Sequence, residues 1–184
     1  MIKTVGVVGA GTMGNGIAQV FAQSGFTVRL HDSAAGALDR ARATVEKSLA
    51  KFVEKGKLTT ADRDASLGRL TAAPAIDALG DADYVVEAIV ERLDAKRQIF
   101  ATLDALTRPD VILTSNTSSI SITALGAATK RPDRVLGMTR VRAIGHRASA
   151  ATRPARIAAC VASARRLSRA TPATAHPVAM PASP

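Results

Sequence analysis

The stretch from Thr4 to Asp32 constrains the fold of this chain more than any other. Val5, Val7 and Val8 form an apolar, β-branched run of the kind buried in a parallel sheet. Gly9, Gly11 and Gly14 follow at GxGxxG spacing, and a helical pattern with Met13, Ile17, Val20 and Phe21 on one face runs on to Gly25. Phe26 to Leu30 then reads as a second strand delivering Asp32, an acid 21 residues after Gly11. Each glycine has its own reason. The first permits a tight turn, the second lets a pyrophosphate approach the backbone, and the third lets the helix pack close to the strand. Free N–H groups at the helix start favour phosphate charge. The Asp32 carboxylate is placed to accept hydrogen bonds from an adenosine ribose and would repel a 2′-phosphate, so the pattern points to NAD rather than NADP. An NADP-linked reductase of related fold is correspondingly disfavoured.

The rest of the chain alternates helix and strand. Leu38, Val45, Leu49, Phe52 and Val53 make the stripe of a long helix ended by Gly56. Ser48, Lys51 and Lys55 fall on its other face, as a solvated surface or as a basic one for the phosphates of a bulky anion. Thr59 to Asp62 reads as an N-cap for a short helix towards Leu70. Tyr84 to Val86 is a buried strand opening into Glu87 to Glu91, with Leu93, Ile99, Phe100, Leu103 and Leu106 as the following helical stripe. Pro109-Asp110 turns into the strand Val111 to Leu113, which opens into Thr114 to Ser119. A helix over Ile120 to Ala128 and a strand over Arg134 to Met138 complete the pattern. The class is α/β, with a doubly wound, mostly parallel sheet of Rossmann type over residues 1–138. Ligands bind such sheets beyond the carboxyl ends of the strands, so the glycine turn and the two later loops share one candidate site. Asn116 and Ser118 there serve either as helix caps or as ligand contacts.

GAGTMGNGIAQVFAQSG, VVEAIVERLDAKRQIF and SNTSSISIT resemble the NAD-binding domain of 3-hydroxyacyl-CoA dehydrogenases, and the start of the chain resembles the bacterial 3-hydroxybutyryl-CoA enzymes. The resemblance runs through residues 1–138. It implies that Gly9, Ala10, Gly11, Thr12, Met13 and Gly14 hold the pyrophosphate, Asp32 the ribose, and Glu91 and Lys96 the nicotinamide half. Ser118 would touch both nicotinamide and substrate oxygen, and Ser48 and Lys55 would contact coenzyme A. The implied reaction is reversible oxidation of a (3S)-3-hydroxyacyl-CoA to the 3-oxoacyl-CoA, in a homodimeric enzyme of fatty acid metabolism.

Such an oxidation needs a general base within reach of the hydroxyl. The family supplies a histidine in an HFxNP motif after the strand matching Arg134 to Met138, with a glutamate about one strand later. This chain has Thr139 at the histidine position and no Glu beyond Glu91. A threonine hydroxyl is no base near neutral pH.

Composition changes at the same point. Residues 139–184 hold 14 Ala, 8 Arg and 5 Pro, with no acid and no aromatic residue, whereas Phe21, Phe26, Phe52, Tyr84 and Phe100 all precede them. The net charge of +10 is therefore mostly a property of this basic segment. Three readings of it stand: out-of-frame translation of a GC-rich gene, a basic arm neutralising nucleic-acid phosphates, or a basic amphipathic helix over Ala155 to Ala170. The first gives a disordered tail; the second makes the chain a non-catalytic NAD-binding module, although no aromatic interleaving supports base stacking. His146 and His176 could replace the missing base, but no carboxylate lies near either in sequence. The family's helical C-terminal domain, with its dimer contacts and much of the substrate cleft, is absent from the expected architecture, leaving an unfinished, aggregation-prone sheet edge. A single cysteine, Cys160, offers no disulfide framework, the N-terminus enters a strand without an apolar leader, and no apolar run is long enough to span a bilayer. The expected location is cytoplasmic, with no metal site.

Overall fold

The computed structural model describes residues 2–138. Six parallel strands make one sheet: β1 (Thr4–Val8), β2 (Thr27–His31), β3 (Leu70–Ala73), β4 (Tyr84–Glu87), β5 (Ile112–Ser115) and β6 (Val135–Gly137). Their order is β3-β2-β1-β4-β5-β6, the doubly wound arrangement in which the winding reverses between β1 and β4. The helices are α1 (Thr12–Gln23), α2 (Ala37–Glu54), α3 (Thr60–Gly68), α4 (Leu93–Leu106) and α5 (Ile122–Gly126).

Side-chain alternation along the strands feeds two cores. Val5, Val7, Val28, Leu30, Tyr84 and Val86 pack with Ile17, Phe21, Val45 and Leu49 of α1 and α2. On the other face Val85 and Leu113 meet Phe100 and Leu103 of α4 and Leu125 of α5. Covering both faces is what lets the strands be near-continuously apolar. The basic residue Arg131 closes the second layer. Its side chain is 9% exposed, its Nε donates to Asp104 Oδ1 at 2.7 Å, and its Nη2 donates to the carbonyls of Leu103, Asp104 and Thr107 at the end of α4.

The register places the strand ends in one row. His31 pairs with Ala73 and Val8, Val8 with Glu87, Glu87 with Ser115, and Ser115 with Gly137. Everything beyond that row is loop, and the row sets where those loops meet.

Several expectations need correction. Met13 is not on the core face with Ile17 and Phe21: it is 48% exposed, and in its turn of α1 the residue packed inward is Gly14, against Gly9 and Ala88. The buried face of α1 is Gly14, Ile17, Ala18, Phe21 and Ala22, with Gln19. The helix read towards Leu70 stops at Gly68, and β3 comes after it, drawn into the sheet by pairing with β2. Helix α5 starts at Ile122 rather than Ile120, since the Ile120 amide is held in the preceding turn by Thr117 Oγ1 at 3.0 Å. Among the described residues the sheet has β3 at one edge and β6 at the other. No helix among the described residues is long and apolar enough to cross a membrane. Thr139, His146, His176, the amphipathic pattern over Ala155 to Ala170 and every reading of residues 139–184 lie outside the described residues.

Candidate functional site

The glycine turn joins β1 to α1. Gly9 has φ +102°, and a Cβ there would stand 2.5 Å from the Ala88 carbonyl oxygen. A Cβ on Gly14 would stand 1.7 Å from the Gly9 carbonyl oxygen, so this glycine is what allows helix and turn to touch. Gly11 differs from both: nothing lies within 4 Å of where its Cβ would be. Gly11 is also the N-cap of α1 and offers no side-chain cap. Among the described residues, no amide from Gly11 to Gly14 finds a backbone acceptor; the first bond of the helix runs from Asn15 N to Gly11 O at 2.9 Å. Unpaired donors at a helix N-terminus, beside a residue without a side chain, fit an anionic diphosphate.

Asp32 follows β2 and is half-buried. Its Oδ2 accepts the Ala10 amide at 2.7 Å and its Oδ1 accepts the Ala34 amide at 2.8 Å. The acid therefore braces the glycine turn as well as facing the cleft. That cleft, about 280 Å³, lies between the turn, Asp32 and the Arg40 and Thr44 side of α2. Arg40 and Thr44 were not singled out in the sequence. The signal for them was present, because positions 40, 44, 48, 51 and 55 recur at helical spacing and make one stripe beside the buried one. Ser48 is half-buried on that stripe, and Lys51 and Lys55 are exposed beyond it.

The β4 and β5 loops complete the row. The Ala88 amide donates to Val8 O at 2.7 Å and the Asn116 amide to Glu87 O at 2.8 Å, which lays the three loops side by side. Glu87 is not loop at all: it ends β4 with no exposed surface, and it accepts the Lys96 ammonium at 2.7 Å. Lys96 is 1% exposed, and its other partners are Glu91 Oε2 at 3.2 Å and Ile89 O at 3.4 Å. The family resemblance puts Lys96 at the nicotinamide half; its ammonium lies beneath the loop that carries Glu91, bonded to both acids. Glu91 itself stands at the surface, its side chain 43% exposed. Its Oε1 accepts the hydroxyls of Thr117 and, at 2.8 Å, Ser119. The Thr117 hydrogen bond above all, with help from Ser119 and Lys96, holds the Glu91 carboxyl down to about 2. Thr117 Oγ1 also accepts the Ser119 and Ile120 amides, so one hydroxyl shapes the loop and anchors the acid. Ser118 is exposed between them, with no hydrogen bond to a described residue.

Comparison with known proteins agrees with this geometry. The family model described as 3-hydroxyacyl-CoA dehydrogenase, NAD binding domain matches residues 4–139. The 3-hydroxybutyryl-CoA dehydrogenase of Bradyrhizobium diazoefficiens is 48% identical over 138 residues, covering 75% of this chain and 47% of that protein. The probable 3-hydroxybutyryl-CoA dehydrogenase of Deinococcus radiodurans is 51% identical over 133 residues, covering 72% of this chain and 48% of that one. The crystal structure of (S)-3-hydroxybutyryl-CoA dehydrogenase from Ralstonia eutropha superposes with a TM-score of 0.77 at 41% identity, over 91% of this chain and 62% of that one. The chain thus spans about half the length of the curated relatives it matches. With a glycine turn, an acid after β2 and a matching family pattern over residues 4–139, the chain belongs to the 3-hydroxyacyl-CoA dehydrogenase family and carries its NAD-binding domain.

Proposed function

We propose that residues 1–138 form the cofactor-holding half of an NAD-dependent 3-hydroxyacyl-CoA dehydrogenase, with 3-hydroxybutyryl-CoA as the substrate. The observation that carries this reading is the alignment of Val8, Glu87 and Ser115 in one row, which brings the glycine turn, Glu91 and Ser118 to one edge. NAD, when bound, supplies the hydride acceptor. The amides of Gly11 to Gly14 bind the pyrophosphate, and the Asp32 oxygens accept the ribose hydroxyls. Glu91, ionised throughout the neutral range, orients the nicotinamide half on its loop, with Lys96 behind it. Ser118 presents a hydroxyl to the substrate oxygen, and Ser48 and Lys55 carry coenzyme A along the α2 stripe.

Proton removal from the alcohol is a separate requirement. Glu91 is too weak a base for it. His31, which is buried, directs Nδ1 at Ala73 O at 2.8 Å. With Thr139 at the family's histidine position, we infer that residues 1–184 bind NAD without turning substrate over. This reading puts the chain in the cytosol, binding an acyl-CoA. The test is direct: titrate the purified chain with NADH, then assay acetoacetyl-CoA-dependent NADH oxidation. Binding without turnover is expected. Turnover near that of an intact family member would overturn the inactive half of the reading, and absence of binding would overturn the whole.

A further inference from the structure

We propose that Glu87, the fully buried carboxylate ending β4, is a positioning residue that sets the nicotinamide half of the cofactor site through Ile89, Lys96 and Ser115. The inference rests on the placement of Glu91 and Ser118 at that half. Glu87 touches no cofactor itself, yet every atom it offers is bonded. Its Oε1 accepts the Ile89 amide and the Lys96 ammonium, each at 2.7 Å, and its Oε2 accepts the Ser115 hydroxyl at 2.6 Å. Its main-chain oxygen accepts the Asn116 amide at 2.8 Å. These partners belong to three different segments. Ile89 lies in the loop leading to Glu91, Lys96 in the first turn of α4, and Ser115 at the end of β5 where the Ser118 loop begins.

A buried ion pair is a poor source of stability, because apolar side chains of like size pack as well without the cost of desolvation. What the carboxylate adds is direction. With its ammonium fixed by Glu87, Lys96 reaches Glu91 Oε2 at 3.2 Å, while Thr117 and Ser119 fix the other oxygen. Glu91 is thereby held from both sides, and one of those sides depends on Glu87. The adenosine half is held differently: Asp32 bonds Ala10 and Ala34, and none of these residues shares a hydrogen bond with the Glu87 carboxylate, although the Ala88–Ile89 backbone it steadies lies against Gly9. Loosening Glu87 should therefore disturb the nicotinamide half more than the adenosine half.

Titrating the full 184-residue chain with NADH and, separately, with ADP separates the halves, because ADP lacks both the nicotinamide and its ribose. Glu87→Gln is expected to raise the Kd for NADH about tenfold and to leave that for ADP within about twofold. Ser115→Ala removes one hydrogen bond to the Glu87 carboxylate and is expected to raise the NADH Kd about threefold, again sparing ADP. Parallel weakening of both ligands would reduce Glu87 to a fold residue and overturn the proposal, as would unchanged NADH affinity in either variant. Should Glu87→Gln fail to fold, Ser115→Ala decides. A wild-type chain that binds neither ligand would overturn the NAD-binding reading and this inference with it, an outcome distinct from selective or parallel loss in the variants.

Discussion

The three glycines of the turn share one motif but do different jobs, and alanine at each separates binding from folding. At Gly11 the backbone has φ −70° and ψ −171°, which any residue adopts, and a Cβ meets nothing within 4 Å. Gly11→Ala should therefore fold, losing about 0.5–1 kcal/mol for a poorer N-cap. The added methyl would stand where the diphosphate approaches. Displacing it from two amide donors removes charge-assisted hydrogen bonds worth about 3 kcal/mol together, on the order of a hundredfold in Kd. Gly14→Ala is the opposite case. Its Cβ would lie 1.7 Å from Gly9 O, so α1 must move away from the turn, carrying Ile17 and Phe21 out of the core. That overpacking costs about 3 kcal/mol or more, a large fraction of a domain's stability. Urea denaturation monitored by circular dichroism gives the first quantity, and calorimetric titration with NADH the second. A Gly11→Ala chain destabilised as much as Gly14→Ala, or one that binds NADH like the wild type, would refute this division of roles.

The same geometry fixes further outcomes. Since the Glu91 carboxyl is held at about 2 in the folded chain, below its unfolded value, it stabilises the fold above about pH 4.5, and that contribution is lost as pH falls towards 2. Thr117→Val removes the largest cause, so the stability of this variant, measured by denaturation at stepped pH, should fall less steeply across that window. Arg131→Ala leaves the nearly buried Asp104 carboxylate without its counter-charge and should cost about 3 kcal/mol, seen as a lowered Tm; a loss under about 1 kcal/mol would refute the pairing argument. Asp32→Ser should weaken NADH binding by about tenfold or more and narrow the preference over NADPH, checked by parallel titration of the two cofactors.

Much of the fold was legible because its causes are local. Steric need at Gly9 and Gly14 is written in three residues, and Val5, Val7 and Val8 announce a buried strand without reference to anything distant. Where periodicity was trusted beyond the sheet it failed. Met13 has the spacing of a core residue, but spacing carries no information about whether a neighbour exists under that turn. Strand β3 failed for the converse reason. Leu70, Thr71, Ala72 and Ala73 have little strand character of their own, and only the edge of β2, reached by the Val28 amide to Arg69 O at 2.8 Å, makes them one.

The site divides along the same line. Asp32 was found because an acid at a set distance from a glycine turn is a local pattern, yet its grip on the Ala10 amide was not, since that bond depends on how the turn curls back. Glu87 and Lys96 are nine positions apart, the first reading as the start of a loop and the second as part of the helix after it. Their burial depends on the register of Glu87 with Ser115, 28 residues further on, and Glu91 is tied down by Thr117 at a separation of 26. Such bonds leave no periodic trace, because each joins two segments that meet only as the sheet forms. Motif and spacing can therefore name the residues that face a ligand, while the residues that hold those in place become visible only in three dimensions. In this chain the two sets interlock at one residue: Glu91 is the proposed ligand-facing group, and Lys96, Thr117 and Ser119 fix both its oxygens.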